Sequence, residues 1–123
     1  MIIGTVTPSL EAFIHIPIED GSGRSQAIDV KIDTGFTGFL SLPRTMVSTL
    51  GLMATTQQNV QIGDGTVVSV PVHSAVVIWD GKARRVDVHA MGVERLIGLA
   101  MLAGHDLAIR VRDGRPISIG LIP

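Results

Sequence analysis

The stretch Ile32-Asp33-Thr34-Gly35-Phe36-Thr37-Gly38-Phe39-Leu40-Ser41-Leu42-Pro43 decides how the rest of the chain is read. Ahead of it, the strand-like run Ala27-Ile28-Asp29-Val30-Lys31-Ile32 drives an acid into a turn of small residues with apolar residues on both sides. A carboxylate placed there without partners is costly, because burying an uncompensated charge is strongly unfavourable. The arrangement makes sense if Gly35 leaves room for backbone N–H donors, Thr34 adds a hydroxyl, and a second acid shares the proton. The flanking sequence is therefore read for what builds that second half.

Immediately upstream, Phe13-Ile14-His15-Ile16-Pro17-Ile18 alternates with period two, and Glu19-Asp20-Gly21-Ser22-Gly23 supplies a turn before Ala27. That pattern is a hairpin. Gly21-Ser22-Gly23 is not a phosphate loop, because neither a helix nor a Lys-Ser/Thr pair follows it. Downstream, Pro43 to Gly51 reads as a short helix: proline suits its first turn, Ser41 is its candidate cap, and Gly51 suits its end.

Two strands, Val60-Gln61-Ile62 and Val68-Ser69-Val70-Pro71-Val72, flank Gly63-Asp64-Gly65, a tight-turn signal. The polar alternates Gln61, Ser69 and His73 predict a hairpin with one wet face that projects from the body, with Pro71 at an edge where a missing donor is tolerated. Further hairpins are expected between Ala75–Trp79 and Arg85–His89 around Asp80-Gly81, and between Leu107–Val111 and Pro116–Ile119 around Asp113-Gly114. Leu96-Ile97-Gly98 reads as a buried strand end, and Leu99 to Ala103 as a short helix stopped by Gly104. Many short strands with one or two short helices define an all-β domain, barrel or sandwich-like.

Composition narrows the function classes. A chain of 123 residues supports one domain with a real core. It is 46% hydrophobic and 17% charged, the profile of a globular chain. A formal net charge of −1 argues against nucleic acid or an anionic membrane as the main partner, since both favour a basic stripe. The absence of cysteine excludes a disulfide scaffold, a thiol nucleophile and a cysteine zinc site. Met1-Ile2-Ile3-Gly4 lacks the charged and apolar regions of a signal peptide, and no run reaches the roughly 18 apolar residues of a membrane helix. The expected location is cytoplasmic.

Three features in order resemble the retropepsin-like aspartic proteases, particularly their small single-lobe bacterial members. Asp33-Thr34-Gly35 follows a hydrophobic strand and continues into Phe39-Leu40-Ser41-Leu42-Pro43. The glycine-tipped hairpin at Gly63-Asp64-Gly65 stands where that family has its flap. Leu96-Ile97-Gly98 follows some thirty residues later and precedes a short helix. The order fits from about Glu11 to Ile119, so residues 1–123 are expected to form one lobe.

The resemblance implies a closed β-barrel of the acid protease fold that supplies half an active site. With one Asp-Thr-Gly per chain, a working enzyme would be a homodimeric aspartic endopeptidase acting on peptide or protein substrates, with Asp33 from each subunit at the two-fold axis. Asp33, Thr34 and Gly35 are the implied catalytic residues. Phe36, Thr37, Ile62, Gly63, Asp64, Gly65, Ile97 and Gly98 are the implied substrate contacts, and neither metal nor cofactor is implied. The terminal strands of the family interleave between subunits, which makes Ile117-Ser118-Ile119 the expected assembly segment.

This chain departs from the retroviral pattern. Phe36 stands where those enzymes have alanine. Thr37 and Leu99 stand where they pair an acid with an arginine, so both partners of that pair are missing together. With no tyrosine in the chain, a pepsin-type flap tyrosine is excluded. Taken alone, Asp-Thr-Gly is also ordinary turn chemistry, and a catalytically silent module for dimerisation or peptide binding fits the same fold. A small β-barrel that binds nucleic acid fits the net charge poorly. The four histidines share no metal-ligand spacing. Asp29 reads as surface, and Lys82, Arg84 and Arg85 as a solvated hairpin tip.

Overall fold

β-branched and apolar residues dominate the alternating runs, and they form strands along most of the chain. The computed structural model describes residues 1–123. It contains β1 (Ile2–Val6), β2 (Ala12–Glu19), β3 (Ser25–Ile32), β4 (Leu40–Leu42), α1 (Arg44–Leu50), β5 (Met53–Gln61) and β6 (Val67–Trp79). The chain continues through β7 (Lys82–Ala90), β8 (Leu96–Ile97), α2 (Leu99–Leu102), β9 (His105–Ile109) and β10 (Pro116–Leu121). No helix is long and apolar enough to cross a membrane.

The ten strands form one sheet in the order β5-β6-β7-β4-β8-β3-β2-β1-β10-β9. An extra pairing of Ile18 in β2 with Val77 in β6 joins distant parts of that order, so β6, β7, β4, β8, β3 and β2 close into a ring of pairings. Within the ring, β8 is inserted between the two arms of the Asp33 loop. It runs parallel to β3 (Lys31 beside Leu96, Ile32 beside Ile97) and antiparallel to β4 (Leu40 beside Ile97). A cluster of 19 buried residues fills the interior, with Ile14, Ile16, Ile18, Val30, Leu40, Val77, Val88 and Ile97 among its most deeply buried members.

Most expected hairpins are present at their expected turns. The β6–β7 turn places Asp80 at φ 51° and Gly81 at φ 81°, with Trp79 opposite Lys82. Consecutive positive φ angles in a two-residue loop match the twist of the flanking strands. The second helix ends as anticipated, with Gly104 just beyond it at φ +81°.

Other elements differ from expectation. β1 is a strand that the sequence pattern does not announce; its inward positions are Gly4 and Val6 while Ile3 is exposed, so the apolar period is hidden. The two runs Val68–Val72 and Ala75–Trp79 are one continuous strand, in which the buried positions change phase between Val72 and Ala75. β5 starts at Met53, well before Val60. Pro71 opposes Gln57 of β5 and lies one residue past the last β7 pairing at Val72, so it has a strand neighbour on one side only. Ser41 is no helix cap: it is buried in β4, and Pro43 takes the cap position without a side-chain bond. Arg84 is half-buried rather than solvated, donating to the Met101 carbonyl at 3.2 Å and lying 5.2 Å from the Phe39 ring centroid. Ile117 and Ile119 are fully buried within the chain, in β10 between β1 and β9, and Leu121 and Ile122 are exposed.

Candidate active site

The Asp33 loop leaves β3 and returns as β4, and its shape comes from backbone bonds to the segment threaded between those arms. The Asp33 amide donates to the Ile97 carbonyl at 3.0 Å, and the Gly98 amide to Phe39 O at 3.0 Å. At the start of α2, the Leu99 amide donates to Phe36 O at 2.9 Å and the Ala100 amide to Gly38 O at 3.1 Å. Gly98 is required by space, not by an unusual backbone angle. A Cβ there would stand 2.4 Å from Gly38 O and 2.6 Å from Phe36 O. Such contact is impossible without moving backbone.

Within this frame Asp33 is half-buried and accepts one hydrogen bond, from the Gly35 amide to Oδ1 at 2.9 Å. None of the four ion pairs involves it. A Cβ on Gly35 would come within 3.2 Å of the same oxygen, so a side chain there would crowd the carboxylate. Thr34 is exposed beside it. The loop thus presents one carboxylate at an open mouth, with a backbone donor fixed against one oxygen and the other face free.

The hairpin of β5 and β6 rises nearby. Its tip is held only by its own bonds: Ile62 N to Thr66 O and Gly65 N to Ile62 O, both 2.9 Å. Gly65 sits at φ +86°, which only glycine adopts without strain. Asp64 Oδ1 accepts from the Thr66 amide at 2.8 Å. The Thr66 hydroxyl first, and that amide second, hold the Asp64 carboxyl below the ordinary aspartate value. Residues 61–67 are all exposed.

Between the hairpin stem and the Asp33 loop lies a cleft of about 480 Å³. Gly35 to Phe39 form one wall, Gln58 to Gln61 of β5 another, and Asp87 and His89 of β7 with Ala100 of α2 the remainder. The catalytic and binding residues inferred from sequence are distributed around it unevenly. Gly35, Phe36 and Thr37 line the cleft; Asp33 does not, and is joined to its wall through the Gly35 amide. Ile62, Gly63, Asp64 and Gly65 do not reach it, because only the hairpin's stem does. Ile97 is fully buried and Gly98 has no side chain, so these two hold the Asp33 loop from behind and present nothing to the cleft.

Sequence reasoning missed the residues that join the two sides. His89 is 7% exposed, its Nε2 bonded to Gln58 Oε1 at 2.7 Å, and its ring lies edge-on to Phe36 at 5.6 Å. The phase of β7, in which Asp87 and His89 share a face, was the available signal. No cluster of three or more His, Cys, Asp or Glu side chains is placed to hold a metal ion. No protein-family model, curated protein or solved structure matched this chain.

Proposed function

We propose that the chain is one lobe of a retropepsin-like aspartic endopeptidase, a closed β-barrel that works as a homodimer. The observation that carries this reading is the threading of Leu96-Ile97-Gly98 between the arms of the Asp33-Thr34-Gly35 loop, with the stem of a glycine-tipped hairpin forming a wall of the adjoining cleft. An isolated capping aspartate needs none of that bracing.

In this reading two copies bring their Asp33 carboxyls together at a two-fold axis. Carboxylates about 3 Å apart cannot both ionise cheaply, so the pair holds one proton between them. The ionised member draws a proton from a water, which attacks the scissile carbonyl, and the protonated member donates to the developing oxyanion. The proton taken from water ends on the leaving amine as the C–N bond breaks. Gly35 N–H fixes one carboxylate oxygen in each copy, and Thr34, exposed beside Asp33, is free to bond across the axis. The hairpin accepts the peptide as an added strand. The exposed Leu121 and Ile122, rather than the buried Ile117 and Ile119, are the terminal residues available to a second copy.

A catalytically silent peptide-binding or dimerisation module is the second reading. Phe36 favours it, since that ring forms part of the cleft wall against His89.

The test is cleavage of a diverse peptide library between about pH 4 and 7 by wild type and Asp33→Asn, with sedimentation on the same samples. Wild-type cleavage that falls at least about 100-fold in Asp33→Asn is the expected result. Equal cleavage by both proteins overturns the peptidase reading. No cleavage by either, from a sample that sediments as a dimer, selects the silent module.

A further inference from the structure

The cleft beside Asp33 carries one formal charge. Asp87 is the only Asp, Glu, Lys or Arg among its lining residues, and it takes part in none of the chain's ion pairs. The cations nearest to it in sequence do not pair with it. Arg85 donates to Ser74 Oγ at 3.0 Å, and Ser74 is the residue opposite Asp87 in the β6–β7 ladder, so this guanidinium flanks Asp87 without pairing with it; Arg84 donates to the Met101 carbonyl while lying over Phe39. The remaining polar side chains are neutral amides, a hydroxyl and an imidazole: Gln58, Asn59, Gln61, Thr37 and His89. His89 Nε2 is tied to Gln58, and its Nδ1 is buried without a partner, so the ring is held as a fixed part of the wall.

We propose that this cleft is a specificity pocket for a cationic side chain, lysine or arginine, of an extended peptide. The proposal rests on the reading that peptide lies under the hairpin, but not on its being cleaved. A cation entering the cleft gains an unpaired carboxylate and several acceptor oxygens, and its aliphatic stem gains the Phe36 wall. A side chain of the opposite sign meets Asp87, and no Lys or Arg lines the cleft to compensate. A volume of about 480 Å³ accommodates either long cationic side chain. Asp87 is therefore a specificity-determining residue, and an Asp33→Asn background takes the neighbouring Asp33 charge out of the comparison.

Binding is measured on the full chain carrying Asp33→Asn, which separates recognition from turnover. The probes are blocked octapeptides, each position scanned in turn with Lys, Arg, Met or Glu. One position is expected to favour Lys and Arg over Met by roughly fivefold, the scale of a partly exposed charge pair. Asp87→Asn brings that ratio to near one, Asp87→Lys turns it in favour of Glu, and added salt at about 0.5 M shrinks it. A ratio near one at every position, a ratio that survives Asp87→Asn, or the absence of binding by any peptide overturns the proposal. A preference lost in Asp87→Asn, together with no cleavage by wild type, keeps the pocket and removes the peptidase. Cleavage without any charge preference does the reverse.

Discussion

Asp33-Thr34-Gly35 and Gly63-Asp64-Gly65 begin from the same local chemistry and end in opposite mechanical states. In each, an aspartate oxygen accepts the amide two residues on: Gly35 N at 2.9 Å in one, Thr66 N at 2.8 Å in the other. This is the self-bonded turn that makes aspartate common in loops. The first turn is then braced from outside by Ile97, Leu99 and Ala100, and by a glycine that lets two backbones nearly touch. The second is held by its own hairpin alone, with every side chain from 61 to 67 in solvent. Turn chemistry sets the shape of a loop, and only tertiary contacts decide whether it moves. The chain therefore holds one carboxylate on a braced turn and another on a turn that only its own hairpin restrains.

The largest effect that separates the two regions is expected at their glycines. Gly98→Ala drives a methyl into Gly38 O and Phe36 O, and it should cost about 3 kcal/mol or more, or prevent folding. Gly63 has nothing within 4 Å of a built Cβ, and Gly63→Ala should stay within about 0.5 kcal/mol of wild type. Urea unfolding midpoints measure both. Equal losses would erase the distinction between a braced loop and a free tip.

How much of this was legible in the sequence depends on range. Turns such as Asp80-Gly81 and Asp113-Gly114 are readable because their information sits within a few residues. The Asp33 loop was readable as a motif, and Leu96-Ile97-Gly98 as a buried strand end, but their pairing joins residues some sixty positions apart and is not written in either segment. β1 was not readable, since its buried positions hold Gly4 and Val6 and its isoleucine at position 3 faces solvent. β6 was split in two because its buried phase changes between Val72 and Ala75, which a fixed period of two reads as a break. The bond between His89 and Gln58 spans 31 residues, and neither residue type announces a partner at that distance. Arg84 looked like a solvated tip because its charge was visible and its contacts with Met101 and Phe39 were not.

A middle-sized effect probes the seam between the two regions. Phe36 of the braced loop touches His89, which in turn holds Gln58 of the hairpin stem. Phe36→Ala and Gln58→Ala should therefore be non-additive, with a coupling of about 0.5 to 1 kcal/mol in a double-mutant cycle read by denaturant unfolding. Additivity within error would mean that the stem and the loop are mechanically independent, and that the mobile region begins at Gln58 rather than near Gln61.

The smallest effect is confined to the tip and works through charge. Asp64 is held below its ordinary value of 3.8 by the Thr66 hydroxyl and amide. A depressed carboxyl contributes stability that is complete above the ordinary value and lost as pH falls through the lowered folded value. Acidification should therefore loosen the turn at residues 62–66 below about pH 4. The global transition should barely register it, because the tip makes no core contact. Thr66→Val removes the hydroxyl and should return Asp64 toward the ordinary range, read from its carboxyl carbon in an NMR titration. In wild type, amide exchange at Ile62 and Gly65 should be orders of magnitude faster than at Leu99 and Ala100, whose amides bond the Asp33 loop. An Asp64 that titrates alike in both proteins would mean that the turn is not closed by its own side chains. Slow exchange at the tip would mean that something other than the hairpin holds it down.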